Sequence, residues 1–78
     1  MELELIYCSA WNYEPQAVSL ATELMNVYKK KIKKLVLIPS DGGRFEFSIN
    51  GNLLYSKLKT GKFPANEEIH KLVKKQAG

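Results

Sequence analysis

Two short apolar stretches flank a segment with helical spacing, and this arrangement narrows the fold more than any other feature of the chain. Leu3-Glu4-Leu5-Ile6-Tyr7 begins by alternating apolar and acidic residues and ends apolar, which predicts a strand over residues 2–8. From Glu14-Pro15 onward, Val18, Ala21, Leu24, Met25 and Tyr28 recur at intervals of three and four, one face of a helix. Proline fits the first turn, where its missing N–H costs nothing, and Glu14 suits the positive end of the macrodipole. Lysines gather at the other end, where cations complement the dipole, so the helix is expected over 14–31. Leu35-Val36-Leu37-Ile38, closed by Pro39, reads as a strand buried on both faces. Strand, helix and second strand make a βαβ unit with parallel strands.

The rest of the chain reads as a hairpin and a helix. Ser40-Asp41-Gly42-Gly43 is a turn by composition. Phe45, Phe47 and Ile49 alternate with Arg44, Glu46 and Ser48, and Asn50-Gly51 supplies the positive φ that a type I′ hairpin turn needs. With those two residues as the turn, Ile49 faces Asn52, Phe47 faces Leu54 and Phe45 faces Ser56, so the expected core face is Phe45, Phe47, Ile49 and Leu54. Residues 60–64 are a loop. Asn66 is a candidate cap for a last helix with Glu67 and Glu68 in its first turn, Lys74 and Lys75 in its last, and an Ile69, Leu72, Val73 stripe. The order is β-α-β-β-β-α, an α/β chain of the two-layer α+β kind: a four-stranded mixed sheet with both helices over one face. Residues 1–78 read as one domain, with no repeat or linker.

Several function classes are set aside by what the chain lacks. Cys8 is its one cysteine, which removes an intrachain disulfide framework, a Cys-rich zinc site and a within-chain dithiol. His70 is its one histidine, and its neighbours Glu67, Lys71 and Lys74 suggest an outward position, so no metal site is expected. No Gly-x-x-x-x-Gly-Lys phosphate loop occurs, and the serines lack a histidine-plus-carboxylate pattern. No apolar run nears the ~18 residues that span a bilayer, and Met-Glu-Leu-Glu has no basic region of a signal peptide. The expected location is the cytoplasm, with no membrane association.

Cys8 stands at the end of the first strand, in the loop leading to the first helix, where open α/β sheets place functional groups. Two readings stay open: a thiol with chemistry, or a small buried residue kept for packing. Tyr7-Cys8-Ser9-Ala10-Trp11-Asn12-Tyr13-Glu14-Pro15 resembles the opening of the selenoprotein W/T/H, or selenoprotein W-related, family. That family has a thioredoxin-like fold and a Cys-x-x-Cys or Cys-x-x-selenocysteine motif after its first strand. Leu37–Glu46 is similar to its Gly-rich turn and Phe-Glu strand, Asn50-Gly51 to its hairpin, Leu54–Lys57 to its fourth strand and Gly61-Lys62-Phe63-Pro64 to the lead-in to its last helix. The resemblance covers nearly the whole chain. It implies that Cys8 is the family's first cysteine, while Trp11 stands where the family has the second cysteine or selenocysteine.

A second thiol in the chain is what resolves a mixed disulfide internally, and this chain has none. The resemblance therefore implies redox chemistry with one thiol: a mixed disulfide at Cys8 resolved by a second molecule, with glutathione as co-substrate and no bound cofactor. The enzymatic form is a one-thiol oxidoreductase of thioredoxin-like type serving cell redox homeostasis, with Ser9, Ala10 and Trp11 forming the loop that sets access and Gly42 and Gly43 alongside. The alternative is a non-catalytic protein-interaction module on the same fold. It would use the Trp11/Tyr13 loop or the basic patch of Lys29, Lys30, Lys31, Lys33 and Lys34. Those lysines, in a chain of net charge +4, read first as solvated residues at a helix end; they offer no stacking aromatic, so nucleic acid is not the expected partner. The partner is a protein or glutathione, and the chain is a monomer or weak homodimer.

Overall fold

Alternation places the odd residues of the first strand on one face. The computed structural model, which describes residues 1–77, forms that strand over Glu2–Cys8, with Leu3 and Leu5 buried and Glu2 and Glu4 exposed. The strand, β1, lies inside a four-stranded sheet. Its neighbours are β2 (Lys34–Ser40), parallel to it with Leu5 opposite Leu37, and β3 (Phe45–Ile49), antiparallel with Leu5 opposite Phe47. The last strand, β4 (Asn52–Ser56), pairs with β3 and gives the order β2-β1-β3-β4.

The second apolar run is thus an edge strand, not the doubly buried one its sequence suggests. Leu35 to Ile38 are only half-buried, because β1 takes the inner position and pairs on both sides. The Ser40 carbonyl accepts the Ser9 N–H, so the even residues of β2 turn their backbone groups towards β1 and the odd ones face the open edge. Pro39 therefore puts its missing donor on the free edge, where a proline is tolerated and discourages further pairing.

The first helix, α1 (Glu14–Tyr28), carries Pro15 in its first turn as expected but buries a different stripe. Ala17, Leu20, Ala21, Leu24 and Tyr28 face the sheet, whereas Val18 and Met25 are 46% and 48% exposed. The two overlapping stripes share Ala21, Leu24 and Tyr28; the one that adds Ala17 and Leu20 is the one that meets the sheet. The helix also ends early, at Tyr28. Lys29 takes a φ of +43°, and Lys29–Lys31 form a tighter 3-10 turn before Ile32 returns the chain to the core.

The Asn50-Gly51 turn forms with φ of +51° and +85°, and Ile49 faces Asn52. Beyond that the register departs from expectation. A bulge between Phe47 and Ser48 leaves Leu54 unopposed, so Phe47 faces Tyr55 and Glu46 faces Ser56. Tyr55 is buried in the place expected for Leu54, which is half-buried. Its hydroxyl meets Thr60 Oγ1 at 2.8 Å and donates to the Lys62 carbonyl at 2.7 Å.

Lys57–Thr60, expected as strand end and loop, form a single helical turn, α2. Ser56 Oγ caps it, accepting the Lys59 N–H. The last helix, α3 (Asn66–Ala77), buries Ile69 and Val73 against the same cluster as α1. That cluster joins Leu3, Leu5, Phe45, Phe47, Ile49 and Tyr55 to both long helices, so both cover one face of the sheet. Burial of these side chains, each worth roughly 1.5–3 kcal/mol, is the main stabilising term of so small a fold.

Candidate functional site

The end of β1 is tied down on every side. The Cys8 N–H donates to the Arg44 carbonyl at 2.8 Å, and the Cys8 carbonyl accepts the Tyr13 N–H at 3.1 Å. Ser9 donates twice to the Ser40 carbonyl, from its N–H at 3.0 Å and from Oγ at 3.3 Å. Asn12, at φ +59°, donates to the Ser9 carbonyl, which closes residues 8–13 into a compact turn that delivers the chain to α1. Within this frame Cys8 is fully enclosed, with 0% of its surface exposed. Alternation puts it on the opposite face from Leu3 and Leu5, and the central cluster does not include it. Cys8 is fully buried without belonging to the central cluster.

Trp11, in this exposed loop, leaves 62% of its surface in solvent. Its indole rests on the Gly43 backbone so closely that a β-carbon there would stand 2.5 Å from Trp11 Cζ3. Gly43 precedes Arg44, whose carbonyl holds the Cys8 N–H, so the indole rests one residue from the backbone that ties down the end of β1. Gly42, expected alongside with Gly43, has open space around its missing side chain and serves only the turn, at φ +71°. Ser9 and Ala10 are exposed.

Trp11 also starts a chain of aromatic rings. It meets Tyr13 edge-on at 6.1 Å, Tyr13 meets Phe63 at 4.6 Å, and Phe63 meets Phe45 at 5.2 Å. Lys57 Nζ sits 5.3 Å from the Tyr13 ring centre and 5.2 Å from that of Phe63. Next to Phe63 lies a cavity of about 240 Å³ between the start of α1 and the start of α3. Sequence reading found Trp11 and Tyr13 but did not bring Phe63 and Lys57 to them, nor foresee the cavity. The only signal was the Phe63-Pro64 pair, which carried no hint that it would fold back onto the first loop.

Residues 2–75 match the Rdx family. The chain belongs to the Rdx family. This Rdx chain is also similar to the selenoprotein W-related protein from Vibrio cholerae, whose crystal structure superimposes with a TM-score of 0.94 at 27% identity, covering 99% of this chain and 96% of that one. A Bordetella parapertussis protein superimposes at 0.92 with 24% identity over 96% of this chain and 95% of that one, a likeness of fold. No curated protein matches. The fold is thioredoxin-like, and at the level of the family this is a thioredoxin-like protein of redox type.

The remaining candidates of the Rdx chain lie elsewhere. Lys29, Lys30, Lys31, Lys33 and Lys34 are all exposed at the other end of β1, near Glu2; Lys30, Lys31 and Lys33 border a shallow depression with Met1 and Asn50. The patch and Cys8 are not brought together. His70 is not outward as expected. It is half-buried, with Nε2 3.2 Å from Glu23 Oε1 and Nδ1 3.5 Å from the Tyr28 hydroxyl. Asn66, expected as a cap, instead turns its amide to Glu23 Oε2. These contacts fasten α3 to α1. Among the described residues no cluster of three His, Cys, Asp or Glu could hold a metal ion, and no helix is long and apolar enough to cross a membrane.

Proposed function

We propose that this Rdx protein is a cytoplasmic thiol redox protein that works with a single thiol, Cys8, through mixed disulfides with glutathione or a protein client. The observation that carries the reading is the place of Cys8. It lies at the carboxyl end of β1 in the loop entering α1, where the family resemblance sets the first redox cysteine, with Trp11 in the second position.

The chemistry balances with one disulfide and one thiol from outside the chain. Cys8 loses its proton to water, and the thiolate attacks one sulfur of a disulfide. That S–S bond breaks, one half leaves as thiolate, and Cys8 is held in a mixed disulfide. A second thiolate then attacks the partner sulfur and expels the Cys8 thiolate, regenerating both the protein and a disulfide. Trp11 offers no sulfur, so the second step comes from outside the chain. Because Cys8 has no exposed surface, the structure around it must open first. That opening is a local event, cheaper than unfolding the fold around it.

A second reading is favoured by the same burial together with the 62% exposure of Trp11: a non-catalytic interaction module that presents the Trp11/Tyr13 loop. One experiment separates the two. Alkylation of Cys8 is followed by mass spectrometry in low urea, with oxidised glutathione in parallel. Labelling that is independent of urea below the unfolding transition, with a glutathione adduct forming, supports the redox reading. Labelling that tracks global unfolding, with no adduct, overturns it and leaves the interaction module.

A further inference from the structure

The cavity beside Phe63 is lined by Leu20 and Phe45, both buried, and by Pro15, Phe63 and Pro64, with exposed Ser19 at its rim. Its volume of about 240 Å³ falls below the roughly 300–1,000 Å³ of sites that take whole small ligands and is on the scale of one large side chain. It does not stand alone. The Phe63 and Tyr13 rings connect it to Trp11, and the centroid distances place Trp11 within about 11 Å of Phe63. An extended chain covers that span with about three residues at roughly 3.3 Å each.

Lys57 adds a charge. Its ammonium lies against the Tyr13 and Phe63 rings, while the carboxylate of Glu46 is engaged by the Ser56 hydroxyl and the Lys57 N–H. Among the described residues the one ion pair is Glu23 with His70, so the Lys57 charge has no carboxylate partner. A cation held over aromatic rings beside an apolar cavity complements an acidic residue next to an apolar one.

We propose that the cavity and the rings leading to Trp11 form a docking groove for an extended polypeptide of another protein. The partner places a phenylalanine-sized side chain in the cavity, an adjacent acidic residue at Lys57, and its following residues along Tyr13 towards Trp11 and the Cys8 loop. The groove's role as the client anchor of a redox site rests on the reading above; the binding itself does not.

The test uses the full chain and a cysteine-free peptide, acetyl-Ser-Asp-Phe-Gly-Ser-Gly-Ser-amide, titrated by amide NMR and by Trp11 fluorescence. Saturable shifts are expected at Gln16, Ser19 and Phe63. Phe→Ala in the peptide, or Ser19→Trp in the protein to fill the cavity from an exposed helix position, should weaken binding roughly ten- to hundredfold. Lys57→Gln should weaken it a few-fold, and an Asp→Lys peptide likewise. Ser19→Trp is accepted only with an unchanged thermal midpoint, and the peptide variants need no folding control at all. Equal binding of the Phe→Ala peptide, or no shifts at millimolar peptide, overturns the proposal. So does acetyl-phenylalanine amide binding as tightly as the peptide, which would mean a small aromatic ligand, or self-association that fills the groove with a second copy. Cys8→Ser should bind the peptide as the wild type does, so failure of the thiol chemistry and failure of the groove are read separately.

Discussion

The indole of Trp11 occupies the space that any side chain at residue 43 would need, 2.5 Å from a β-carbon built on Gly43. Gly43 also holds φ at +73°, so alanine there meets both backbone strain and the indole. Gly42 shares the conformation, at φ +71°, but faces open space, which makes it the internal control. We expect Gly42→Ala to cost about 1 kcal/mol and Gly43→Ala about 2–3 kcal/mol in urea unfolding. The excess should vanish in a Trp11→Ala background, where the clash is gone. Equal costs at the two glycines would show that Trp11 does not rest where the structure has it.

The same contact packs Trp11, three residues after the buried thiol, onto the turn before β3. Trp11→Ala should raise the native alkylation rate of Cys8 by at least about tenfold, the effect of removing roughly 1.4 kcal/mol from the opening cost. Global stability should change by about 1 kcal/mol or less, since most of the indole is already in water. A labelling rate that rises only in step with lost stability would assign the burial of Cys8 to the fold as a whole.

The fold was legible where one local signal fixed one geometry. Pro15 started a helix, Asn50-Gly51 made a turn, and the alternation of Phe45, Phe47 and Ile49 gave a buried face, all borne out. What failed depended on partners distant in sequence. Four apolar residues at 35–38 could not say which of two parallel strands would lie inside. A bulge, one extra residue in β4, moved Tyr55 into the place of Leu54, because pairing rather than composition decides register. The candidate site shows the same division. Cys8, Trp11 and Gly43 were nameable from the motif, but the full burial of the thiol was not, and the meeting of Lys57 and Phe63 with Tyr13 joins residues 44 and 50 positions apart.

Glu23 receives both a ring nitrogen and an amide from α3, His70 Nε2 at 3.2 Å and the Asn66 side chain. Glu23→Ala should therefore cost about 1–2 kcal/mol, more than His70→Ala or Asn66→Ala at about 0.5–1 kcal/mol each. The double variant Glu23→Ala/His70→Ala should be less destabilised than the sum of its parts by at least about 0.5 kcal/mol. Strict additivity in thermal unfolding would mean that the pair is a surface coincidence.

Ser56 is a buried polar side chain, 6% exposed, and donates from Oγ to Glu46 Oε1 at 2.6 Å. Glu46 Oε2 accepts the Lys57 N–H at 2.9 Å, so one carboxylate satisfies both the serine and the first turn of α2. Glu46→Ala leaves two donors without their partner, one of them buried, and should cost about 2–3 kcal/mol; Ser56→Ala removes one bond and should cost about 1–1.5 kcal/mol. Hydrogen exchange at Lys57 should rise for Glu46→Ala and much less for Ser56→Ala. The reverse order of costs would mean that the hydroxyl, through its cap on α2, matters more than the carboxylate.

Lys29 ends α1 with φ +43° and ψ −115°, a conformation open to glycine and strained for a residue with a β-carbon. The strain persists because both sides are fixed. The Lys29 N–H still bonds the Met25 carbonyl, the Lys29 carbonyl accepts the Ile32 N–H, and Ile32 is drawn into the core. Glycine would relieve roughly 1–3 kcal/mol of strain and lose about 0.5–1 kcal/mol of chain entropy. Lys29→Gly should thus stabilise the protein by about 1 kcal/mol, a rise in thermal midpoint of roughly 4–8 °C for a domain of this size. Lys30→Gly, at an exposed neighbour without positive φ, removes the same charge but relieves nothing, and should destabilise by about 0.5–1 kcal/mol. If both variants raise the midpoint alike, the change reflects the loss of a crowded lysine charge and not the backbone at the end of α1, and a fall for Lys29→Gly would mean that no strain is stored there.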